Sequence, residues 1–214
     1  MWSSEVTNMI IAGIGETLYM TLVSTIAGYI IGLPMGIVLT VSDKDGIRPN
    51  SFIYKILDVI VNIVRSIPFI ILLVLLIPFT RFLVGKSYGS TATIVPLVVA
   101  AAPYIARMVE SSLKEVDAGV IETARSMGAS DFDIVTKVLL VEARTSLLVG
   151  ATISLGTILG YSAMSGAVGG GGLGAIAIRY GYTRWQTDIM IVTVVLLVVL
   201  FQIFQTIGMM LANK

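Results

Sequence analysis

The sequence predicts an all-α integral membrane protein with five transmembrane helices and a charged cytoplasmic loop between the third and the fourth. Hydrophobic residues make up 56% of the 214 residues and charged residues only 13%, and the mean hydropathy is +0.95. Soluble domains carry about twice that charged fraction. Five long apolar runs with one charged interruption therefore predict a single transmembrane domain over residues 1–214.

Each apolar run approaches or exceeds the roughly 20 residues that cross about 30 Å of hydrocarbon as a helix. The runs are residues 17–41, 56–84, 91–108, 147–168 and 187–211. Residues 1–16 carry no Lys or Arg and lack a small-residue cleavage site, so we expect a short, retained amphipathic lead-in and not a signal peptide. Five spans place the two termini on opposite sides of the membrane.

Basic residues predict the orientation, because cytoplasmic loops are enriched in Lys and Arg. If the N-terminus is outside, the outer loops hold only Arg81, Lys86, Arg179 and Arg184. The inner loops and tail then hold Lys44, Arg48, Lys55, Arg107, Lys114, Arg125, Lys137, Arg144 and Lys214. This imbalance predicts an N-terminus outside, a cytoplasmic C-terminus and a cytoplasmic location for the charged loop.

Composition argues against three classes of function. A net charge of +1 offers no clustered basic face for nucleic acid. The chain has neither His nor Cys and few carboxylates within its spans, so no nucleophile and base are evident for a membrane enzyme, and no metal or cofactor is expected. The glycine run 169–172 is not followed by Lys-Ser or Lys-Thr, so it does not match a phosphate-binding loop.

The charged loop, residues 117–143, has the pattern of two short helices joined at Gly128 and Ala129. Gly128 suits the position just past a helix end, where a left-handed conformation costs glycine nothing. Ser130 with Asp133 matches a capping box that opens the second helix. The local pattern fits either a docking element or an ordinary cytoplasmic connection, and leaves both open.

The same segment resembles the coupling loop of permease subunits of binding-protein-dependent ABC importers. That pattern is Glu-Ala-Ala, three residues, Gly, nine residues, Ile, one residue and Leu-Pro. Thr123 stands at an Ala of the pattern and Val141 at the Pro. Without the Pro, the second helix is free to run on into the next span. The residues that the resemblance assigns to coupling with a partner ATPase are Glu122, Thr123, Ala124, Gly128, Val138 and Leu140.

Arg65 lies inside the second apolar run, where a charge costs on the order of 3 kcal/mol on insertion scales. Asp58 and Glu110, near the cytoplasmic ends of neighbouring spans, are its candidate partners. Structural pairing and direct contact with a solute are both consistent with the sequence.

The fourth run places Met164 among small and polar residues that include Ser162 and Ser165. We expect these residues to line a translocation pathway, with Met164 meeting its mate at a dimer axis and closing the pathway. The alternative is that Met164 fills a gap in the core. We expect the glycines from 169 to 172 and Gly174 to end this helix at the outer face.

Glycine and proline predict closely packed, bent spans. Gly28, Gly32 and Gly36 form a stripe at a spacing of four residues that allows two helices to approach closely. Prolines inside the apolar runs, namely Pro34, Pro68, Pro78, Pro96 and Pro103, predict bends.

Beyond the loop, residues 62–81, 95–113 and 160–174 resemble the corresponding stretches of methionine ABC importer permeases. The resemblance implies the transmembrane subunit of an ATP-driven methionine importer in the bacterial cytoplasmic (inner) membrane. It also implies a homodimer, two cytosolic ABC ATPase subunits that bind ATP and Mg²⁺, and an extracytoplasmic methionine-binding lipoprotein. Because the spans carry no evident side-chain code for methionine, an importer of another amino acid or a small osmolyte stays the alternative. We also expect this subunit to contribute little to the choice of solute.

Overall fold

The computed structural model describes residues 4–213, and every regular element in that range is a helix. The predicted all-α class is therefore confirmed. The first half contains α1 (Ser4–Ser42), α2 (Ser51–Ser66), α3 (Phe69–Leu75), α4 (Ile77–Val84) and α5 (Ser90–Leu113). The second half contains α6 (Ala118–Ser126), α7 (Asp131–Asp133), α8 (Leu140–Glu142), α9 (Arg144–Ser165), α10 (Gly172–Ile176) and α11 (Thr187–Ala212). A π-helix follows α7 (Ile134–Leu139) and another follows α10 (Ala177–Tyr182), and a 3₁₀ turn follows α9 (Gly166–Val168).

Four segments of residues 4–213 are long and apolar enough to cross a membrane: Ser4–Ser42, Ser90–Leu113, Arg144–Tyr182 and Thr187–Ala212. A fifth crossing is obtained when α2 and α3, which meet at an angle of 102°, are counted as one broken span. The fifth predicted run, 187–211, agrees closely with α11, whereas α5 continues five residues beyond the predicted 91–108.

The predicted lead-in is wrong, because the described part of residues 1–16 belongs to α1 and not to a separate segment. Its first three residues lie outside the described range. The helix continues because its N-terminal half packs against α10: the Leu173 N–H donates to Thr17 Oγ1 at 2.9 Å and the Gly172 N–H donates to Glu16 Oε2 at 2.6 Å. Side chains of α1 thus satisfy the free N–H groups at the start of α10.

The second predicted span, 56–84, is not one helix. It breaks at Ile67, which is extended (φ −81°, ψ 124°) and precedes Pro68. Proline lacks an N–H and pushes the preceding residue out of the helical region, so the helix ends before it. The span also begins earlier than predicted, because Asn50 Oδ1 accepts from the N–H groups of Phe52 and Ile53 and caps α2.

The glycine stripe of α1 makes the predicted close helix contact, and its partner is α5. A Cβ added at Gly32 would lie 2.6 Å from the Ala102 carbonyl oxygen, and one at Gly36 would lie 2.6 Å from the Ala106 carbonyl oxygen. These distances are shorter than a van der Waals contact, so only glycine permits the observed approach. The α1 and α5 pair is the centre of the fold.

The glycine run does not simply end the fourth span. Gly169 has φ +87° and turns the chain after the 3₁₀ segment, but Gly172 begins α10. Gly174 lies against the backbone of Ala163, where no Cβ fits. The glycine run therefore forms a tight turn between α9 and α10, and α10 packs against α9.

Candidate functional site

The charged loop folds as the predicted helical hairpin. Gly128 is left-handed (φ +84°), and the end of α6 is closed by two hydrogen bonds, from Gly128 N to Arg125 O at 3.0 Å and from Ala129 N to Ala124 O at 3.1 Å. This pair of bonds is a Schellman motif. Ser130 then caps the second helix, since its Oγ accepts from the Asp133 N–H at 3.2 Å.

One face of the hairpin is anchored to the spans. Ile121 and Ala124 pack against the buried core that includes Ile47 and Leu139, which agrees with an apolar face at helical spacing. The Arg125 Nη2 donates to the Ile47 carbonyl oxygen at 2.7 Å. The hairpin is therefore held by the loop between α1 and α2 as well as by its own ends.

The opposite face of the hairpin is exposed and carries large apolar side chains at its tip. Met127 is 83% exposed and Phe132 is 75% exposed. Glu122 and Thr123 are exposed on α6, whose residues 118–126 include none that is buried. The sequence reasoning missed Met127 and Phe132, although apolar residues on both sides of the turn glycine at a charged loop were a signal.

The second half of the hairpin runs almost without interruption into the fourth span, as the missing proline at Val141 predicts. The π-helix Ile134–Leu139 is followed by α8, one turn residue at Ala143 and then α9. Leu139 is fully buried, while Val138 and Leu140 on either side are partly buried. The hairpin and α9 thus share a continuous backbone path, and π-helical turns often mark functional positions.

The candidate partners of Arg65 pair with a different arginine. Arg107 on α5 lies 2.5 Å from Asp58 Oδ1 and 2.6 Å from Glu110 Oε2. The suggested pairing of Arg65 with either carboxylate is therefore wrong. Arg65 is instead exposed in the last turn of α2.

The ion pairs of Arg107 extend into a network that the sequence reasoning did not find. Lys114 lies 2.8 Å from the second oxygen of Glu110 and also contacts Asp43. Glu110 is buried, with only 3% of its side chain exposed. The network ties the end of α5 to α2 and to the loop after α1, and Glu110 with its two cationic partners stands at its centre.

Two groups at the end of this network beyond α5 have shifted pKa values. The hydrogen bond from Lys114 holds the pKa of Asp43 below its usual range. Partial burial would lower the pKa of Lys114, but hydrogen bonds to Asp43 and Glu110 outweigh it and raise that pKa. Both shifts favour the charged pair.

The three predicted pathway residues of α9 do not lie together. Ser162 and Ser165 are buried, and their hydroxyls donate to the carbonyl oxygens of Leu159 and Ser162. Met164 is 43% exposed on the surface of α9. The two serines therefore support helix packing, and of these three residues only Met164 reaches the surface of the chain. Within residues 4–213, no group of three or more carboxylates is placed to hold a metal ion.

Comparisons with known proteins agree on one family. The family profile described as binding-protein-dependent transport system inner membrane component matches residues 28–212. A probable D-methionine transport system permease protein of Vibrio cholerae is 45% identical over 100% of this chain and 95% of its own length. The D-methionine transport system permease protein of Escherichia coli K12 is 54% identical over 74% of this chain and 73% of its own.

Solved structures give the same answer. A chain of the MetNI methionine ABC transporter in an inward facing conformation has a TM-score of 0.97 and 50% identity, covering 99% of this chain and 98% of that one. A chain of an amino acid ABC transporter shares the fold, with a TM-score of 0.79 at 22% identity. By its helical fold, its hairpin and these matches, the chain belongs to the family of binding-protein-dependent transport system inner membrane components.

Proposed function

We propose that this chain is the transmembrane permease subunit of an ATP-driven methionine importer in the bacterial inner membrane. The observation that carries the proposal is the match to the MetNI chain, which extends over 99% of this chain at 50% identity. A shared fold alone would not identify a solute. The methionine permease names of relatives that are 45% and 54% identical support this particular solute.

The hairpin is proposed to dock on a cytosolic ATPase subunit. That partner subunit, and not this chain, binds ATP and Mg²⁺. Its support is the exposed pair Met127 and Phe132 at the tip of an anchored, charged element. Large apolar side chains that fill a partner's pocket contribute most of the binding energy at interfaces. Two copies of the permease, with two ATPase subunits, would give each hairpin its own partner.

We further propose that the permease is a homodimer in which Met164 meets its mate near the two-fold axis. A self-complementary interface brings identical residues together at its axis, and Met164 offers an exposed apolar side chain on a span. In a Met164→Cys variant, a disulfide between subunits should form in at least one nucleotide state. If no disulfide forms in any nucleotide state, Met164 does not lie at the dimer axis and only fills a gap in the packing.

The binding lipoprotein is proposed to deliver methionine at the outer face, where the solute has already been selected. The support is the scarcity of charge in the spans, since tight binding of a free amino acid calls for partners to both its ammonium and its carboxylate. Titration of the purified permease with methionine should show weak binding. Saturation at low micromolar methionine without binding protein would contradict this part of the proposal.

Reconstitution tests the importer role directly. Proteoliposomes that contain permease, ATPase and binding protein should take up radiolabelled methionine in an ATP-dependent manner. Competition with unlabelled D- and L-methionine, a panel of other amino acids and a small osmolyte then ranks the solutes. If another amino acid or the osmolyte competes better than methionine, that compound and not methionine is the preferred solute.

A further inference from the structure

The bend of the second span leaves a cation without a protein partner. Arg65 is exposed in the last turn of α2, two residues before the extended Ile67. Residues 4–213 provide it with no hydrogen-bond or ion-pair acceptor. An arginine within an apolar span costs on the order of 3 kcal/mol, so its guanidinium requires water or an anion.

The polar groups nearest to it in the chain are already engaged. Asp58 and Glu110 both bind Arg107. Asn62, one turn before Arg65 on α2, donates to Asp58 at 3.1 Å and accepts from Arg107 at 3.0 Å. The hydrogen bonds and ion pairs of this network therefore go to Arg107 and Lys114, and none is made to Arg65.

Arg65 borders a cavity of about 210 Å³ at the bend. Its wall combines residues of α2, α3, α5 and α9 with Ile67 of the break: Val64, Arg65, Ile67, Phe69, Leu72, Ala100, Tyr104 and Tyr161. The Phe69 and Tyr161 rings are stacked, with centroids 4.6 Å apart and planes 4° from parallel. Irregular backbone at membrane depth is tolerated where it lines such a cavity.

The chemistry of the wall is that of an amphiphilic anion site. Arg65 is the charged group, and the Tyr104 hydroxyl adds a polar group to the cavity wall. The remaining surface is aliphatic and aromatic. The volume is below the roughly 300 Å³ at which pockets for drug-sized ligands begin, which suits a solute of amino-acid size.

We infer that this cavity is a transient binding site for a small carboxylate with an apolar side chain, an α-amino acid of the methionine type. Arg65 pairs with the carboxylate, and the aliphatic and aromatic residues of the wall contact the apolar side chain. The inference rests on the proposed importer function. It adds that the solute is held in the cavity at the bend between α2 and α3. One cation in an open cavity gives weak, rapidly reversible binding, as a pathway requires.

The test compares Arg65→Gln with Arg65→Lys in the reconstituted complex with ATPase and binding protein. Arg81→Gln is the matched control, because Arg81 is also an exposed arginine in the last turn of a helix but does not line the cavity. Methionine uptake per ATP hydrolysed should fall roughly tenfold in Arg65→Gln, the loss expected for one charge-assisted hydrogen bond. It should recover substantially in Arg65→Lys and stay at the wild-type value in Arg81→Gln.

A photoreactive methionine with a diazirine side chain locates the site independently of transport. In complexes in nanodiscs, it should label residues 64–72, 100–104 or 161, and excess methionine but not methioninamide should prevent the labelling. Arg65→Gln should abolish labelling of these residues. Labelling that methioninamide also prevents would exclude recognition of the carboxylate.

The outcomes separate the site from the importer role. Wild-type uptake together with unchanged uptake per ATP in Arg65→Gln would overturn the site alone. If uptake per ATP is unchanged in Arg65→Gln but the melting temperature falls, Arg65 pairs with a lipid phosphate or with the second copy of the chain. That outcome would also overturn the site. No methionine uptake by the wild-type complex would instead overturn the importer role.

Discussion

The backbone conformation of Gly128 offers a test of the proposed docking of the hairpin. Its φ of +84° is left-handed, and a Cβ built there meets nothing within 4 Å, so substitution acts through the backbone and not through a clash. Gly128→Val should cost roughly 1–2 kcal/mol or redirect the second helix of the hairpin. We expect normal membrane insertion but loss of co-purified ATPase and of stimulated ATP hydrolysis.

The matched control for this change is Gly128→Asn, because asparagine adopts the left-handed region more readily than valine. It should keep most of the stimulated hydrolysis. If Gly128→Val retained ATPase at the wild-type ratio with wild-type stimulation, the hairpin would be a connector and not the coupling element.

Glu110 is the residue whose loss should most destabilise the spans. It is buried between Arg107 and Lys114, so Glu110→Gln removes the negative charge that balances them. Breaking a fully buried ion pair costs about 3–5 kcal/mol, and the loss here should be smaller because Arg107 and Lys114 are partly exposed and keep Asp58 and Asp43 as partners. It should appear as a lower melting temperature of the purified protein. Glu115→Gln, at an exposed neighbouring position, should leave it unchanged, and equal stability of both variants would contradict the network.

The Asp43–Lys114 pair predicts a flat pH profile across the neutral range. Because the pKa of Asp43 is lowered and that of Lys114 is raised, the pair is fully charged from above the ordinary Asp pKa of about 4 to below the ordinary Lys pKa of about 10. Its stabilisation is lost as pH falls through the lowered Asp43 pKa. The stability difference between wild type and Asp43→Asn should be constant from about pH 5 to 9 and shrink below about pH 4. A steady change across the neutral range would exclude this pairing.

At the scale of elements, the close contact of α1 with α5 depends on glycine. Gly32→Ala places a Cβ against the Ala102 carbonyl and Ile105, and overpacking of this kind costs roughly 1–3 kcal/mol. Gly15→Ala in the same helix meets nothing within 4 Å. We expect a lower melting temperature for Gly32→Ala but not for Gly15→Ala. Equal melting temperatures of the two variants would show that α1 and α5 can move apart to accept the Cβ without loss of stability.

The orientation of the chain in the membrane can be tested by direct labelling. The basic residues predict an N-terminus outside and the hairpin in the cytoplasm. Ser4→Cys and Ser126→Cys are suitable reporters, because both residues are exposed and the chain has no other cysteine. A membrane-impermeant maleimide should label only Ser4→Cys in intact spheroplasts. Labelling of Ser126→Cys from the same side would reverse the orientation.

Features that depend on local chemistry could be predicted from spacing along the chain. Apolar length predicted the membrane class, and the spacing of Gly128 and Ser130 predicted the hairpin with both of its caps. The stripe Gly28, Gly32 and Gly36 predicted a close helix contact. Such features need only neighbouring residues, because helix ends and helix faces are defined by spacings of three or four.

The pairing of side chains that are distant in the sequence could not be predicted, because it depends on how the helices pack. Arg65 and Arg107 are both basic residues near Asp58 and Glu110 in the sequence pattern, but the packing of α2 on α5 gives both carboxylates to Arg107. Likewise, the orientation of α9 buries Ser162 and Ser165 and exposes Met164. Spacing along one helix does not fix the rotation of that helix against its neighbours. The pairing of charges and the composition of a cavity therefore follow from the packing of several helices at once.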